Sequence, residues 1–127
     1  MTREKKEIGL AIIGCGSIGR IRGMLAKEFP GINWIGLCDI NEELGRKLAD
    51  DVEADFFTTD FNELIQRPEV TATIIATDEN AHFHPTMAAI DQGHDLFIEK
   101  PLATEAQESL EILKAIELNG LDAVVGY

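Results

Sequence analysis

The stretch IGLAIIGCGSIG, residues 8–19, decides the fold. Its first part is a short apolar run that ends on Gly14, which is typical of a buried strand. The run continues as a G-x-G-x-x-G motif on Gly14, Gly16 and Gly19. After a strand and before a helix, these glycines permit a tight turn, close approach of the backbone to a pyrophosphate, and helix–strand packing. The motif is weak by itself, but this context predicts a phosphate-binding loop at a helix N-terminus. A purely structural tight turn is the alternative.

The rest of the chain repeats the alternation of apolar and amphipathic segments. Strands are predicted at 8–14, 32–40, 55–59, 71–77, 94–100 and 122–127, and helices at 17–29, 41–51, 60–66, 80–92 and 104–120. Continuous apolar strands separated by helices predict a parallel sheet covered on both faces. We therefore predict an α/β, doubly wound, mainly parallel sheet of about six strands, a Rossmann fold, with residues 1–127 as one dinucleotide-binding domain.

Two of the predicted helices carry large apolar residues at helical spacing. The first has Ile18, Ile21, Leu25 and Phe29, and the last has Leu110, Leu113 and Ile116. Such stripes are typical of the helix face that packs on a sheet.

Composition excludes several classes of partner. The 127 residues are 45% hydrophobic and 27% charged, with a net charge of −12. Nucleic acid and anionic membrane surfaces bind clusters of Lys and Arg, so neither is an expected partner. The polar N-terminus lacks the apolar core of a signal peptide, and no apolar run has membrane-spanning length. Cys15 and Cys38 do not form a disulfide framework, so we expect a cytoplasmic protein.

The second predicted strand is followed by Asp39, where a carboxylate can accept hydrogen bonds from the adenosine ribose. The same charge repels a 2′-phosphate, and neighbouring Ile40 and Asn41 offer no Arg to bind one. This favours NAD over NADP; a simple helix cap is the alternative for Asp39. Cys15 and Cys38 flank these motifs as small packing residues, with a redox-sensitive pair as the alternative.

Polar residues also follow the fourth and fifth strands. Thr77 is expected at the wall of a nicotinamide site, and His82 and His84 follow it. Two histidines two positions apart do not share a helix face, so no metal site is predicted, and packing is the expected role for each on these grounds. Glu99 and Lys100 precede Pro101. A lysine there can bind a nicotinamide ribose or share the proton of a substrate hydroxyl, whereas a surface ion pair is the alternative.

Four features occur in a fixed order along the chain: G-C-G-S-I-G, Asp39, A-T-x-x-x-x-H and E-K-P. Together they resemble the N-terminal domain of the glucose–fructose oxidoreductase / inositol dehydrogenase family (Gfo/Idh/MocA). The resemblance runs from about Ile8 to Tyr127, and E-K-P-L is its most specific element. It implies an NAD(P)-dependent oxidoreductase that transfers hydride between a nicotinamide cofactor and a sugar, a cyclitol or a related polyol.

The resemblance also implies roles for individual residues. Lys100 would be the catalytic or substrate-orienting lysine and also a cofactor contact. The other cofactor-binding residues would be Gly14, Gly16, Ser17, Ile18 and Gly19 at the diphosphate, Asp39 with Ile40 at the adenosine, Thr77 and His82 on the nicotinamide side, and Glu99 at its ribose.

Two departures from the family pattern qualify this expectation. Asp78 and Glu79 stand where members often have Pro or another neutral residue, so Asp78 is expected to point to solvent. Members also continue into a C-terminal α+β domain that supplies substrate contacts and acid–base groups, and that domain is absent here. We expect NAD binding with little or no turnover by this chain alone. The alternatives are a non-catalytic NAD(H)-binding sensor or regulatory module and a small reductase completed by a second chain. An apolar patch near Val124, Val125 and Tyr127 favours a homo-oligomer.

Overall fold

The computed structural model of the protein describes residues 7–78, 81–99 and 106–126. Strands and helices alternate along these residues in the predicted order. They are β1 (Ile8–Ile13), α1 (Ser17–Lys27), β2 (Ile32–Cys38), α2 (Glu42–Val52), β3 (Phe56–Thr58), α3 (Phe61–Ile65), β4 (Ala72–Ile75), α4 (Phe83–Asp91), β5 (Asp95–Glu99), α5 (Ala106–Asn119) and β6 (Ala123–Gly126).

The six strands form one sheet in the order β3-β2-β1-β4-β5-β6, and every neighbouring pair is parallel. The predicted doubly wound fold is confirmed. The direction of winding reverses between β1 and β4, where Ile13 lies between Cys38 and Ile75 in register. In open α/β sheets, this reversal leaves a crevice beyond the carboxyl ends of the strands, and ligands bind there.

Helices on the two faces bury two separate apolar layers. One layer packs α1 and α2 on the central strands through Ala26, Leu48 and Val52. The other contains buried residues of α3, α4 and α5, including Leu64, Ile90 and Ile112. The central strands are therefore covered on both faces, as their continuous apolar sequences predict.

The face of α1 that packs on the rest of the protein is not the predicted stripe of large apolar residues. Ile18, Ile21, Leu25 and Phe29 are exposed by 45%, 54%, 61% and 58%, whereas Gly19, Gly23 and Ala26 are buried. A side chain at Gly19 would overlap the Gly14 carbonyl oxygen, and one at Gly23 would lie 3.5 Å from Leu48. Close approach to the loop and to α2 thus selects the small-residue stripe.

The apolar stripe predicted on α5 packs on the core only in part. Ile112 is fully buried, whereas Leu110 and Leu113 are each about half exposed. Ile116 does pack against the core, together with Ala115. The helix therefore contacts the sheet through a stripe rotated away from the one that the leucines mark.

The exposed stripe of α1 borders an apolar groove, which we call the open-face groove. It has a volume of about 670 Å³ and is lined by Ile8, Leu10, Arg22, Leu25, Ala26, Phe29, Ile32, Ala72, Thr73, Ile74, Asp95, Leu96, Phe97, Asp122 and Val124. Val124, where an apolar patch was expected, is 58% exposed. Tyr127 and the side chain of Val125 lie outside the described residues. Among the helices of the described residues, none combines the length and apolar character needed to cross a membrane.

Candidate cofactor-binding site

A second cavity, here called the strand-end cavity, lies at the crevice between β1 and β4. Its volume is about 460 Å³, and its lining residues come from the ends of β1, β2, β3 and β4 and the segments that follow them. They are Ile13, Gly14, Gly16, Cys38, Asp39, Ile40, Asn41, Leu44, Thr59, Phe61, Ala76, Thr77, Asp78, Ala81 and Pro85. The open-face groove is larger, but it contains neither the glycine-rich loop nor Asp39. The strand-end cavity is therefore the candidate cofactor site.

The three glycines of the loop differ in what surrounds them. Gly14 has φ +101°, and a Cβ there would lie 2.6 Å from the Ala76 backbone. Gly19 packs directly on the Gly14 carbonyl. Gly16 is exposed, and a Cβ built on it would meet no atom within 4 Å. Gly14 and Gly19 are thus required by the fold, whereas Gly16 keeps open space beside the cavity.

The N-terminus of α1 opens beside this space. Gly16 is the N-cap, and the Arg20 N–H donates to its carbonyl at 2.8 Å. The N–H groups before Arg20, including those of Ser17 and Ile18, have no acceptor inside the helix. Neither residue lines the cavity itself. Their backbone donors and the helix dipole favour an anionic group at this point.

Asp39 connects the glycine-rich loop to the end of β2. Its Oδ2 accepts a hydrogen bond from the Cys15 N–H at 2.7 Å, and its Oδ1 accepts one from the Asn41 N–H at 2.7 Å. The cap of α2 is Asn41, whose Oδ1 accepts from the Leu44 N–H, so Asp39 is not the helix cap. A carboxylate offers about four acceptor sites, so both oxygens can still accept ribose hydroxyls.

The two cysteines behave as packing residues. Both are buried, and both are free thiols. Burial, with a smaller effect from the Asp39 carboxylate, raises the pKa of Cys15 to about 12, and the same two causes raise the pKa of Cys38 to about 12. The Cys15 thiol donates to the Cys38 carbonyl at 3.5 Å. Thiols with such a pKa stay protonated and are poor nucleophiles near neutral pH.

Thr77 lines the strand-end cavity, but His82 does not. The Thr77 Oγ1 is buried and has no hydrogen-bond partner among the described residues. His82 is only 1% exposed, and its Nε2 lies 2.7 Å from the Thr77 carbonyl oxygen. His82 is not among the residues that line the cavity, so it stands behind the cavity wall. Asp78 is exposed at the rim.

Glu99 lies on the other side of β5 from the buried Leu96 and Ile98. Its Oε1 accepts a hydrogen bond from the Arg22 Nε at 2.8 Å, and the Arg22 guanidinium stands 4.6 Å above the Phe97 ring. Glu99 is therefore held by α1 and does not line the strand-end cavity. Lys100, the predicted catalytic lysine, falls outside the described residues, as do Glu79 and Pro101.

The family model described as "Oxidoreductase family, NAD-binding Rossmann fold" (GFO_IDH_MocA) matches residues 8–127. The chain belongs to this family. Gfo/Idh/MocA membership confirms the resemblance drawn from the sequence motifs. The strand-end cavity, at the carboxyl ends of the strands, is accordingly the candidate NAD site of this Rossmann domain.

The relatives of this Gfo/Idh/MocA chain include proteins named as a hydratase and as dehydrogenases. The chain is 31% identical over 122 residues to a 2,7-anhydro-N-acetylneuraminate hydratase of Mediterraneibacter gnavus, covering 96% of this chain and 32% of the relative. It is 33% identical over 124 residues to an inositol 2-dehydrogenase of Gluconacetobacter diazotrophicus, covering 94% and 36%. The myo-inositol dehydrogenase of Lactobacillus casei, solved with NAD(H) and myo-inositol, has the same fold, with TM-score 0.87, 24% identity and coverage of 94% and 36%. The chain thus spans about a third of the length of these relatives.

Two observations indicate that the Gfo/Idh/MocA cofactor fits the described residues. The open space at Gly16 gives an anionic group access to the α1 N-terminus, and the buried Thr77 Oγ1 needs a hydrogen-bond partner. Buried hydroxyls are normally hydrogen-bonded, so this one marks a place for a polar ligand atom. Ile40, 92% exposed at the rim, offers apolar surface beside Asp39.

Several lining residues were not predicted from the sequence. Thr59 and Phe61 follow β3, and Leu44 lies in the first turn of α2. Thr59 directly follows β3, so the rule that ligands bind beyond the carboxyl ends of parallel strands points to it. Ala81 and Pro85 reach the cavity from the start of α4 and carry no chemical signal of their own.

Proposed function

We propose that residues 1–127 form the cofactor-binding domain of an NAD-dependent oxidoreductase. In the full-length protein, hydride would pass between the nicotinamide and a sugar, a cyclitol or a related polyol. The observation that carries this proposal is the strand-end cavity itself, in which open Gly16, the N-cap of α1, and Asp39 border one space. The inositol 2-dehydrogenase that is 33% identical supports the substrate class.

The charges around the cavity support NAD rather than NADP. Asp39 and Asp78 are the carboxylates among the described lining residues, and none of those lining residues is Lys or Arg. Arg46, on the helix that follows Asp39, is paired with Glu42 at 2.9 Å. A 2′-phosphate would therefore meet a carboxylate without a compensating cation, and like charges placed together oppose binding.

Each part of the site has a role in this proposal. The glycine-rich loop and the first turn of α1 bind the diphosphate, and Asp39 binds the adenosine ribose. Thr77 hydrogen-bonds the nicotinamide side. A cofactor held by these residues would supply the acceptor or donor of the hydride. Lys100, which follows β5 in sequence, orients the substrate hydroxyl and takes up or returns its proton.

The net reaction depends on residues beyond this domain. A hydratase and a dehydrogenase match the chain at similar identity, 31% and 33%. We therefore propose that this chain alone binds the cofactor and has little or no turnover, because hydride and proton transfer to a polyol also need an acid–base partner for the lysine and a closed pocket.

Two properties of the whole molecule belong to the proposal. We propose that two copies associate through the open-face groove, because Leu25, Phe29 and Val124 expose apolar surface beside one another there. Light scattering in dilute solution should give a dimer mass, and a monomer mass contradicts this. We also propose a reducing compartment, the cytoplasm, because Cys15 and Cys38 are both free thiols.

Calorimetric titration with NADH and NADPH tests the cofactor proposal. The wild-type chain should bind NADH and bind NADPH much more weakly. Asp39→Asn keeps a side-chain oxygen but removes the charge, so it should narrow the preference for NADH by about tenfold, or ~1.4 kcal/mol. Asp55→Asn is the matched control, because exposed Asp55 also accepts a backbone hydrogen bond, from Ile35, but does not line the cavity. Failure of a folded wild-type chain to bind either nucleotide would overturn the proposal.

A further inference from the structure

His82 connects the wall of the strand-end cavity to α4. The residue is the N-cap of α4 and is 1% exposed. Its Nε2 lies 2.7 Å from the Thr77 carbonyl oxygen. A carbonyl oxygen only accepts hydrogen bonds, so the Nε2 carries the proton and donates it. The imidazole therefore fixes the backbone of Thr77 from behind the wall.

The backbone of His82 is itself held by the helix. Its carbonyl accepts hydrogen bonds from the Thr86 hydroxyl at 2.5 Å and from the Thr86 N–H at 3.1 Å. Thr86 is fully buried in α4. The backbone that carries the imidazole is thus fixed, and rotation of the side chain away from Thr77 would remove the hydrogen bond to the partly buried Thr77 carbonyl.

Thr77 is in turn in close contact with the glycine-rich loop. A Cβ at Gly14 would lie 2.7 Å from the Thr77 nitrogen, so the two backbones touch without intervening side chains. The Thr77 Oγ1 belongs to the same short segment and is the buried hydroxyl without a partner among the described residues. A shift of Thr77 therefore changes both the position of this hydroxyl and the room available to the loop.

We propose that His82 is a positioning residue for cofactor binding, which acts through Thr77 and not by touching the nucleotide. Its buried N–H holds Thr77 against Gly14 and keeps the Thr77 hydroxyl where a ligand atom can reach it. This inference rests on the proposed function, since it concerns the affinity of the same cavity for NADH.

The test compares three variants of the 127-residue chain by NADH titration. His82→Phe keeps a ring of similar size but has no N–H donor, and it should weaken binding by about tenfold, the upper end of the effect of one lost hydrogen bond. His82→Gln restores an N–H donor on a long side chain and should return the Kd to within about threefold of wild type. His84→Phe is the matched control: His84 is exposed two residues further along and should leave the Kd unchanged.

Amide hydrogen exchange gives a second measurement that does not depend on nucleotide binding. The Ala81 N–H donates to the Asp78 carbonyl at 2.8 Å, and so reports on the segment after Thr77. Its exchange should accelerate in His82→Phe, and recover in His82→Gln, while core amides of β1 keep their wild-type rates. A variant in which all amides accelerate equally would indicate a global loss of stability, and this outcome overturns the positioning role.

The two proposals fail in different ways. If wild type binds no NADH, the proposed function fails, and the exchange of Ala81 still decides whether His82 holds the segment. If wild type binds NADH and His82→Phe binds it equally well, the positioning role fails alone. Equal weakening in His82→Phe and His82→Gln would also overturn it, because the donated hydrogen bond would then not be the cause.

Discussion

Replacing Gly16 with Ala should separate cofactor binding from folding. A Cβ at this position meets no atom within 4 Å, and the backbone at φ −70° and ψ −163° suits any L-residue. The methyl group should therefore cost nothing sterically in the protein without ligand. It would, however, project into the open space beside the α1 N-terminus that the diphosphate is proposed to occupy.

The expected change in stability is small because two effects oppose each other. Removing a glycine reduces the entropy of the unfolded chain and stabilises by about 0.4–1 kcal/mol. Ala is a poorer N-cap than Gly, by an amount of similar order. The net change should stay within about 0.5 kcal/mol, or roughly 2 °C in Tm for a domain of this size.

The expected change in affinity is much larger. A hydrogen bond to a charged group contributes about 1.5–3 kcal/mol. Losing one such bond between the diphosphate and the loop raises the Kd for NADH about tenfold to a hundredfold. Calorimetric titration measures the Kd, and thermal unfolding of the same sample measures the Tm.

Gly93→Ala is the matched control for this experiment. Gly93 follows α4, away from the strand-end cavity, and also has no atom within 4 Å of a Cβ, but its φ is +78°. Left-handed backbone is unfavourable for Ala by about 1–2 kcal/mol, so the Tm should fall while the Kd stays at the wild-type value. Wild-type NADH affinity in Gly16→Ala would refute the placement of the diphosphate. Extensive unfolding of Gly16→Ala would refute the argument from open space.

Two further predictions concern buried titratable groups. Burial lowers the pKa of His94 from its usual 6.5, against a smaller opposite effect of Asp95, so the unfolded chain binds more protons below pH 6.5. The free energy of unfolding, measured in urea, should therefore fall as the pH drops below 6.5. His94→Gln should reduce the slope of this fall by up to about 1.4 kcal/mol per pH unit. An unchanged slope in the variant would mean that groups other than His94 cause the fall. Burial raises the pKa of Cys15 and of Cys38 to about 12, instead of 9.0. Both thiols should therefore react with a disulfide reagent at pH 8 roughly a thousandfold more slowly than a free thiol. Full reactivity should appear only in denaturant. Rapid modification of the native chain would contradict this.

Local patterns in the sequence were sufficient for the order of elements and for the main part of the site. Gly14, Gly16 and Asp39 all follow strands whose apolar runs are continuous, and parallel strands bring such positions to one edge. Asn41 caps α2 with its own side chain, three residues from the N–H that it accepts from. These features depend on neighbours a few residues away or on a general rule of sheet topology, so a single sequence contains them.

The resemblance placed His82 and Glu99 at the cofactor, and the structure gives them other partners. His82 bonds to the Thr77 backbone, and Glu99 pairs with Arg22, which is distant in the chain. A side chain at a strand end can turn to either face or to the crevice. Its direction depends on which donor from another element lies within reach, and the sequence of its own segment does not contain that information.

By itself, the sequence determined that this chain is a doubly wound nucleotide-binding domain, because strand, loop and helix signals are local and repeat in a fixed order. Only the tertiary structure decided which stripe of α1 faces the protein. Ile18 and Ile21 recur at helical spacing, and so do Gly19 and Gly23. Gly19 lies too close to the Gly14 carbonyl for a Cβ, and Gly23 faces Leu48, so the apolar stripe turns outward and borders the open-face groove. Periodicity in the sequence predicts that a helix has an apolar stripe, whereas contacts between distant segments determine which face of the helix packs on the protein.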